Sequence, residues 1–201
     1  PLLGELVCSN SLRSDNPENA VGLLKREMTA LGSLVITAAR RAALPAGDAL
    51  AVDRSIFAAA VTAAIATNPR IELVREEVTT LPVGPAIVAT GPLTSAALHA
   101  ELETLLGEGS LSFFDAIAPV VAADSLDMTV LFRASRYGKG EGSDYLNAPM
   151  TREQYERFVA AVRAAEQVPA KEIERDTPFF EGCLPIEVMA ERGVDTLRYG
   201  P

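Results

Sequence analysis

Thirteen prolines and fourteen glycines are scattered along this chain, and they limit its architecture more than any other feature. Proline ends helices and leaves central strands, and glycine favours turns, so the chain must be built from short elements with many boundaries. One long helical bundle is excluded. A length of 201 residues suits one large domain or two small ones. Apolar residues make up 48% and charged residues 22%, which fits a folded globular protein and not a disordered one. Lys and Arg total 18 against 27 Asp and Glu, for a net charge of −9. That argues against a globally basic surface for nucleic acid but leaves room for a local basic patch. The two cysteines, Cys8 and Cys183, cannot form a disulfide scaffold. No secretory segment opens the chain and no apolar run reaches ~18 residues, so reduced thiols in the cytoplasm and no membrane contact are expected. The chain begins at Pro1 without an initiator Met and stops at Tyr199-Gly200-Pro201; it reads as an excerpt of a longer protein.

The opening run, Gly4 to Asn16, is dense in small polar groups and reads as a loop, either functional or a surface connector. A helix is expected next, with Asn16 as N-cap and Pro17 as first helical residue. Val21, Leu24, Met28, Leu31 and Val35 give it one apolar stripe, which Gly32 weakens. Pro45-Ala46-Gly47-Asp48 is a turn. A second helix follows Asp53, buries Phe57, Ala60, Val61, Ala64 and Ile65, and stops at Asn68-Pro69. Arg70–Glu76 and Ala86–Ala89 read as strands. Thr90-Gly91 then leads into a helix with Leu98, Leu102 and Leu105 on one side. This order is a fragment of α/β architecture. In such folds ligands sit at the carboxyl ends of strands, where Gly91 permits close backbone approach and Thr90 offers a hydroxyl. A tight turn without a ligand accounts for the same residues.

Composition shifts at Gly107-Glu108-Gly109. Asp115, Asp124 and Asp127 match no cation-binding loop and read as caps or solvated groups, so no metal is assigned. Arg133, Arg136 and Lys139, with Tyr137, Gly138 and Gly140, form the one local basic run. It suits contact with phosphate beside a stacking surface, or else a salt-bridged hairpin edge. Thr151 and Gln154 form a capping box, and Tyr155, Phe158, Val159 and Val162 continue that helix face. A last short helix is expected from Pro185 to Arg192, closed by Gly193. Cys183 then lies at its N-terminus, where free N–H groups and the helix dipole favour a thiolate.

A thiolate can attack an electron-poor carbon, although a lone buried Cys also serves simply as a small hydrophobe. The single histidine, His99, is expected on a solvated helix face, far along the sequence from either cysteine. No G-x-G-x-x-G, P-loop or G-x-S-x-G occurs. The residues by themselves specify an α/β domain pair with two cysteine loops and one basic loop.

Several of these loops resemble one family. The words are Glu5–Ser14 (ELVCSNSLRS), Asn19–Lys25 (NAVGLLK), Ala89–Ser95 (ATGPLTS), Phe114–Pro119 (FDAIAP), Ser135–Gly140 (SRYGKG), Tyr145–Asn147 (YLN) and Phe180–Ala190 (FEGCLPIEVMA). In this order, along nearly the whole chain, they resemble the folate- and FAD-dependent tRNA (uracil-5-)-methyltransferases. The resemblance implies a cytoplasmic flavoprotein that methylates uridine 54 of the tRNA T-loop, with 5,10-methylenetetrahydrofolate as carbon donor and NAD(P)H as reductant. It implies an incomplete glutathione-reductase-type FAD-binding domain over 1–106, an inserted smaller α/β domain over 107–178, and a return segment over 179–201. The family's two functional cysteines map onto Cys183, the expected uracil nucleophile, and Cys8, its acid–base partner, with exchanged roles also open. Thr90 and Gly91 map near the flavin, and Arg133, Arg136 and Lys139 are expected to meet RNA. Two departures stand out: the glycine loop for the FAD pyrophosphate is absent, and Ala148 stands where the family often has Cys. Two other readings compete. A dithiol flavin oxidoreductase predicts a reversible Cys8–Cys183 disulfide and turnover without RNA. A non-catalytic RNA- or protein-binding module predicts inert thiols.

Overall fold

The computed structural model describes residues 2–7, 9–91, 94–107, 121–135, 142–167 and 184–199. It divides into two compact units, Pro1–Val74 with Ile117–Pro149, and Arg75–Ala116 with Met150–Pro201. These cuts differ from the boundaries at 106/107 and 178/179 expected from the sequence.

The first unit is organised by a three-stranded antiparallel sheet of order β1-β3-β2. Its strands are β1 (Ser11–Ser14), β2 (Ala43–Leu44) and β3 (Ala49–Val52). Three helices accompany it: α1 (Ala20–Ala30), α2 (Leu34–Arg41) and α3 (Arg54–Ala66). The central strand β3 is almost wholly apolar, and Leu50, Ala51 and Val52 are buried. Around it Ala38, Ala39 and Ala42 pack with Phe57 and Val61 from α3, and Leu3, Leu6 and Leu12 close the cluster. The alanines let the backbone of α2 come near the sheet, while Phe57 supplies bulk. Each large side chain here contributes ~1.5–3 kcal/mol by leaving water. Asp53 caps α3 by accepting from the Ile56 N–H at 2.9 Å, as its position predicts.

The same unit holds a hairpin of β4 (Phe132–Ala134) and β5 (Tyr145–Asn147), with Arg133 opposite Leu146. In the second unit lie α4 (Ala96–Leu106), α5 (Arg152–Ala164), α6 (Ile186–Arg192) and α7 (Thr196–Tyr199). The Thr151–Gln154 capping box forms as expected. Buried Val159 of α5 and Ala190 of α6 mark where these two helices pack, and Tyr155 Oη donates to the Val194 carbonyl at 2.6 Å.

Several expectations need correction. The cap of α1 is Asn19, which accepts from Gly22 N–H at 2.9 Å, whereas Asn16 turns the chain just before it by accepting from Glu18 N–H. The α1 stripe is not a buried face: Leu24 and Leu31 are exposed, and Gly22 and Lys25 are the buried positions. At Gly32, with φ +72°, the helix ends, and Ser33 caps a separate α2 that the sequence reading ran into α1. The polar opening run is partly a strand, β1. Its serines bond their own backbone, as Ser9 Oγ does with Ser11 N–H at 3.0 Å, which hides the strand signal in composition. Residues 70–76 and 86–89 are not strands. Nearly all of 71–90 is exposed, and no described residue offers it a hydrogen-bonding ladder. A strand needs such a partner, whatever its local pattern. The buried face of α4 is Leu98, His99 and Leu102; Leu105 is exposed. His99 is only 6% exposed, with Nδ1 3.5 Å from Glu103 Oε2, so it is not the solvated residue expected.

Candidate functional site

The backbone on either side of Cys8 is pinned at two points. Arg54, the first residue of α3, donates from Nη1 to the Leu6 carbonyl at 2.9 Å. Asn10 is held twice by fully buried Val52: Asn10 Nδ2 donates to the Val52 carbonyl at 3.0 Å, and Val52 N–H donates to the Asn10 carbonyl at 2.9 Å. Both anchors lie two residues from Cys8, which is itself outside the described residues. The chain then runs through Arg13, which takes φ +66°, a conformation uncommon for a residue with a side chain. Lys25 secures the far end. It is only 5% exposed, and its Nζ donates to the Ser14 carbonyl at 2.7 Å. Burial lowers its pKa from the ordinary lysine range; neighbouring Asp15 opposes the fall, and Arg13 and Arg40 add to it. Arg40 meanwhile grips Asp15 with both guanidinium nitrogens, at 2.8 and 3.2 Å. The arrangement fixes a short polar segment against a rigid core. The sequence reading missed Lys25 as a member of it, because a lysine on a helix ordinarily signals a solvated position.

Thr90 and Gly91 end the exposed stretch of the second unit. Gly91 has φ +71°, and a Cβ built there would meet none of the described residues within 4 Å. The glycine is therefore required by backbone conformation, and its outer face is open. Thr94 Oγ1 donates to the Gly91 carbonyl at 2.8 Å, so the 2.6 Å Thr90–Thr94 hydroxyl contact is donated by Thr90. The Thr90 oxygen keeps acceptor capacity towards an N–H of a ligand. Among the described residues, this open backbone face with an acceptor beside it leaves room for a flat heteroaromatic ring.

Arg133 lies exposed on β4. Its hairpin is clamped to the turn between β2 and β3. Asp144 Oδ2 accepts from Ser135 Oγ and from Gly47 N–H, each at 2.9 Å, and Tyr145 Oη donates to the Ala46 carbonyl at 2.8 Å. Arg136 and Lys139 are outside the described residues. Charge is divided unevenly between the units. Pro1–Val74 with Ile117–Pro149 carries 10 Lys and Arg against 11 Asp and Glu, and the other unit carries 8 against 16. All three cations picked out from the sequence fall in the near-neutral unit.

The family model for glucose inhibited division protein A matches residues 2–201. The chain belongs to that family. Within it, this chain is similar to proteins whose name is the one the residue words pointed to. It is 60% identical over 200 residues to a protein of Geobacter sulfurreducens named methylenetetrahydrofolate–tRNA-(uracil-5-)-methyltransferase TrmFO; the match covers 99% of this chain and 46% of that one. Proteins of the same name from Myxococcus xanthus and Rhizorhabdus wittichii are also 60% identical, with 99% of this chain and 43% and 45% of theirs covered. The chain thus spans a little under half the length of these relatives.

Of the family's two cysteine words, the second runs into α6. There Pro185 stands at the N-cap without a side-chain bond, one position before the helix and not inside it. Cys183 is outside the described residues. Asp115 is too, whereas Asp127 is a local cap: it accepts from Thr129 Oγ1 at 2.6 Å and Thr129 N–H at 2.9 Å, and these bonds hold its carboxyl below its ordinary pKa. Among the described residues no cluster of His, Cys, Asp and Glu could hold a metal ion, and no helix is long and apolar enough to cross a membrane.

Proposed function

We propose that this chain is part of a cytoplasmic enzyme that methylates C5 of uridine 54 in the tRNA T-loop, using methylenetetrahydrofolate, FAD and NAD(P)H. The observation that carries this reading is the 60% identity over 99% of the chain to proteins named as methylenetetrahydrofolate–tRNA-(uracil-5-)-methyltransferases. The fold assigned with it is a glutathione-reductase-type flavin domain contributing 1–106 and 179–201, with 107–178 as an inserted domain. The mixed helix and strand content supports it.

Uracil C5 is a poor nucleophile until C6 is attacked. In this reading the Cys183 thiolate forms a bond to C6, and the electron pair of the C5–C6 double bond moves onto C5 and the C4 carbonyl. C5 then accepts the one-carbon unit. Cys8 removes the C5 proton, and expulsion of the Cys183 thiolate restores the double bond. FAD, when bound and reduced by NAD(P)H, would supply the reducing equivalents that turn the folate's one-carbon unit into a methyl group. Thr90 and Gly91 would hold it. Leu6 and Asn10, on either side of Cys8 in the sequence, are held by Arg54 and Val52, and fixed placement beside a reacting group is worth large factors in rate. Arg133, Arg136 and Lys139 contact tRNA phosphates, and the target uridine is extruded to reach the thiols.

The test uses the full-length protein with unmodified tRNA and methylenetetrahydrofolate carrying a labelled methylene carbon. Label recovered in 5-methyluridine at position 54 is the expected result. Unlabelled product, or turnover that needs no tRNA, would contradict it; the latter outcome would favour a dithiol oxidoreductase.

A further inference from the structure

We propose that Asp144 is a positioning residue for tRNA: it locks the β4–β5 hairpin onto the β2–β3 turn and so aims Arg133 at the phosphate backbone. This rests on the RNA-binding reading above. The strands of the hairpin have three residues each. Two strands of that length are marginal alone, so their direction depends on what they are tied to. Two bonds tie them to the β2–β3 turn, and two more brace the hairpin internally. Asp144 Oδ2 accepts from Gly47 N–H and from Ser135 Oγ at 2.9 Å each, and Asp144 N–H donates to Ser135 Oγ at 3.2 Å. Tyr145 Oη adds the bond to the Ala46 carbonyl at 2.8 Å. Ser135 follows Arg133 by two positions, and Asp144 faces it across the base of the hairpin loop.

A carboxylate within about a dozen positions of three cations in the sequence is the wrong charge for drawing in RNA, so its presence calls for a geometric use. Both accepted bonds fall on one oxygen, Oδ2. A carbonyl oxygen has two lone pairs and can take both. Asparagine can therefore replace the clamp while removing the charge, whereas alanine removes clamp and charge together. This separates positioning from electrostatics.

The experiment compares full-length wild type with Asp144→Asn, Asp144→Ala, Tyr145→Phe, Arg133→Ala and the Arg133→Ala/Asp144→Ala double variant. It reads tRNA Kd across salt concentrations, methylation kcat and KM for tRNA, flavin content and Tm. Asp144→Ala is expected to raise KM and Kd about tenfold, with kcat within about twofold, and to flatten the slope of log Kd against log salt by about one phosphate contact. Asp144→Asn stays within about twofold of wild type, Tyr145→Phe raises KM by about threefold, and the double variant is little worse than Arg133→Ala alone. Tighter tRNA binding by both Asp144 variants would show a charge effect and overturn the proposal. So would Asp144→Ala with unchanged KM and slope, or one whose kcat and flavin content fall together with Tm. If Asp144→Ala does not fold, an unchanged KM in Tyr145→Phe overturns it. If the wild type methylates no tRNA, the functional reading fails; Kd values that still separate alanine from asparagine keep the positioning role.

Discussion

Gly22 shows how one missing side chain places an element. A Cβ built on it would collide with the Asn16 carbonyl oxygen. The turn before α1 therefore folds directly over this residue. Gly22→Ala must push that turn away and is expected to destabilise the protein by at least ~2 kcal/mol, read from denaturant midpoints; a neutral effect would mean that the turn is loosely held. Lys25 allows a test by pH. In the unfolded chain its amine titrates near ~10.4, and in the folded protein it titrates lower because it is buried. Between those two values the unfolded chain binds the extra proton, so this group's contribution to stability rises with pH through that window and is flat outside it. Burial is the largest cause of that shift; Asp15 opposes it, and Arg13 and Arg40 add to it. Lys25→Met removes the slope. The stability difference between wild type and Lys25→Met should move in favour of wild type as pH climbs towards ~10.4; a difference constant with pH would contradict a depressed amine. Neither residue was legible as special beforehand. A glycine in a helix and a lysine on one both have commoner explanations, and only the fold shows what crowds them.

Among the elements, those read correctly carry their own local signal. Asp53 before an apolar run, and Thr151 three residues before Gln154, each satisfy helix-end N–H groups with nearby atoms. Thr151→Ala is expected to cost ~1 kcal/mol of stability, and Thr151→Ser to restore most of it; equal losses in both would rule out a capping role. Asn16 and Asn19 compete on equal chemical terms for the cap of α1, and the packing of Gly22 decides between them. The strand readings at 70–76 and 86–89 failed differently. Ile71, Leu73, Ile87 and Val88 have strand-like chemistry and are exposed. Pairing depends on residues distant in sequence, and relatives of this chain are more than twice as long. Hydrogen exchange should therefore show protected amides at 71–76 and 86–89 in the full-length protein but not in this chain. Fast exchange in both would mean that these segments never pair.

The molecule as a whole is acidic, yet its charge is not evenly spread: the unit bearing Arg133, Arg136 and Lys139 is close to neutral, and its neighbour holds nearly all the excess. An RNA would meet the former with much less repulsion. The family was legible in short words around Cys8, Gly91, the basic run and Cys183. The clamp around the hairpin was not, since Gly47 and Asp144 meet only through the fold. The proposed mechanism depends above all on Cys183 as the thiolate that adds to uracil. Its most direct test is the single-turnover rate of C5 methylation by full-length Cys183→Ala beside wild type, with flavin content matched. A fall of at least a thousandfold, ~4 kcal/mol in the barrier, is predicted; methylation at the wild-type rate would contradict it.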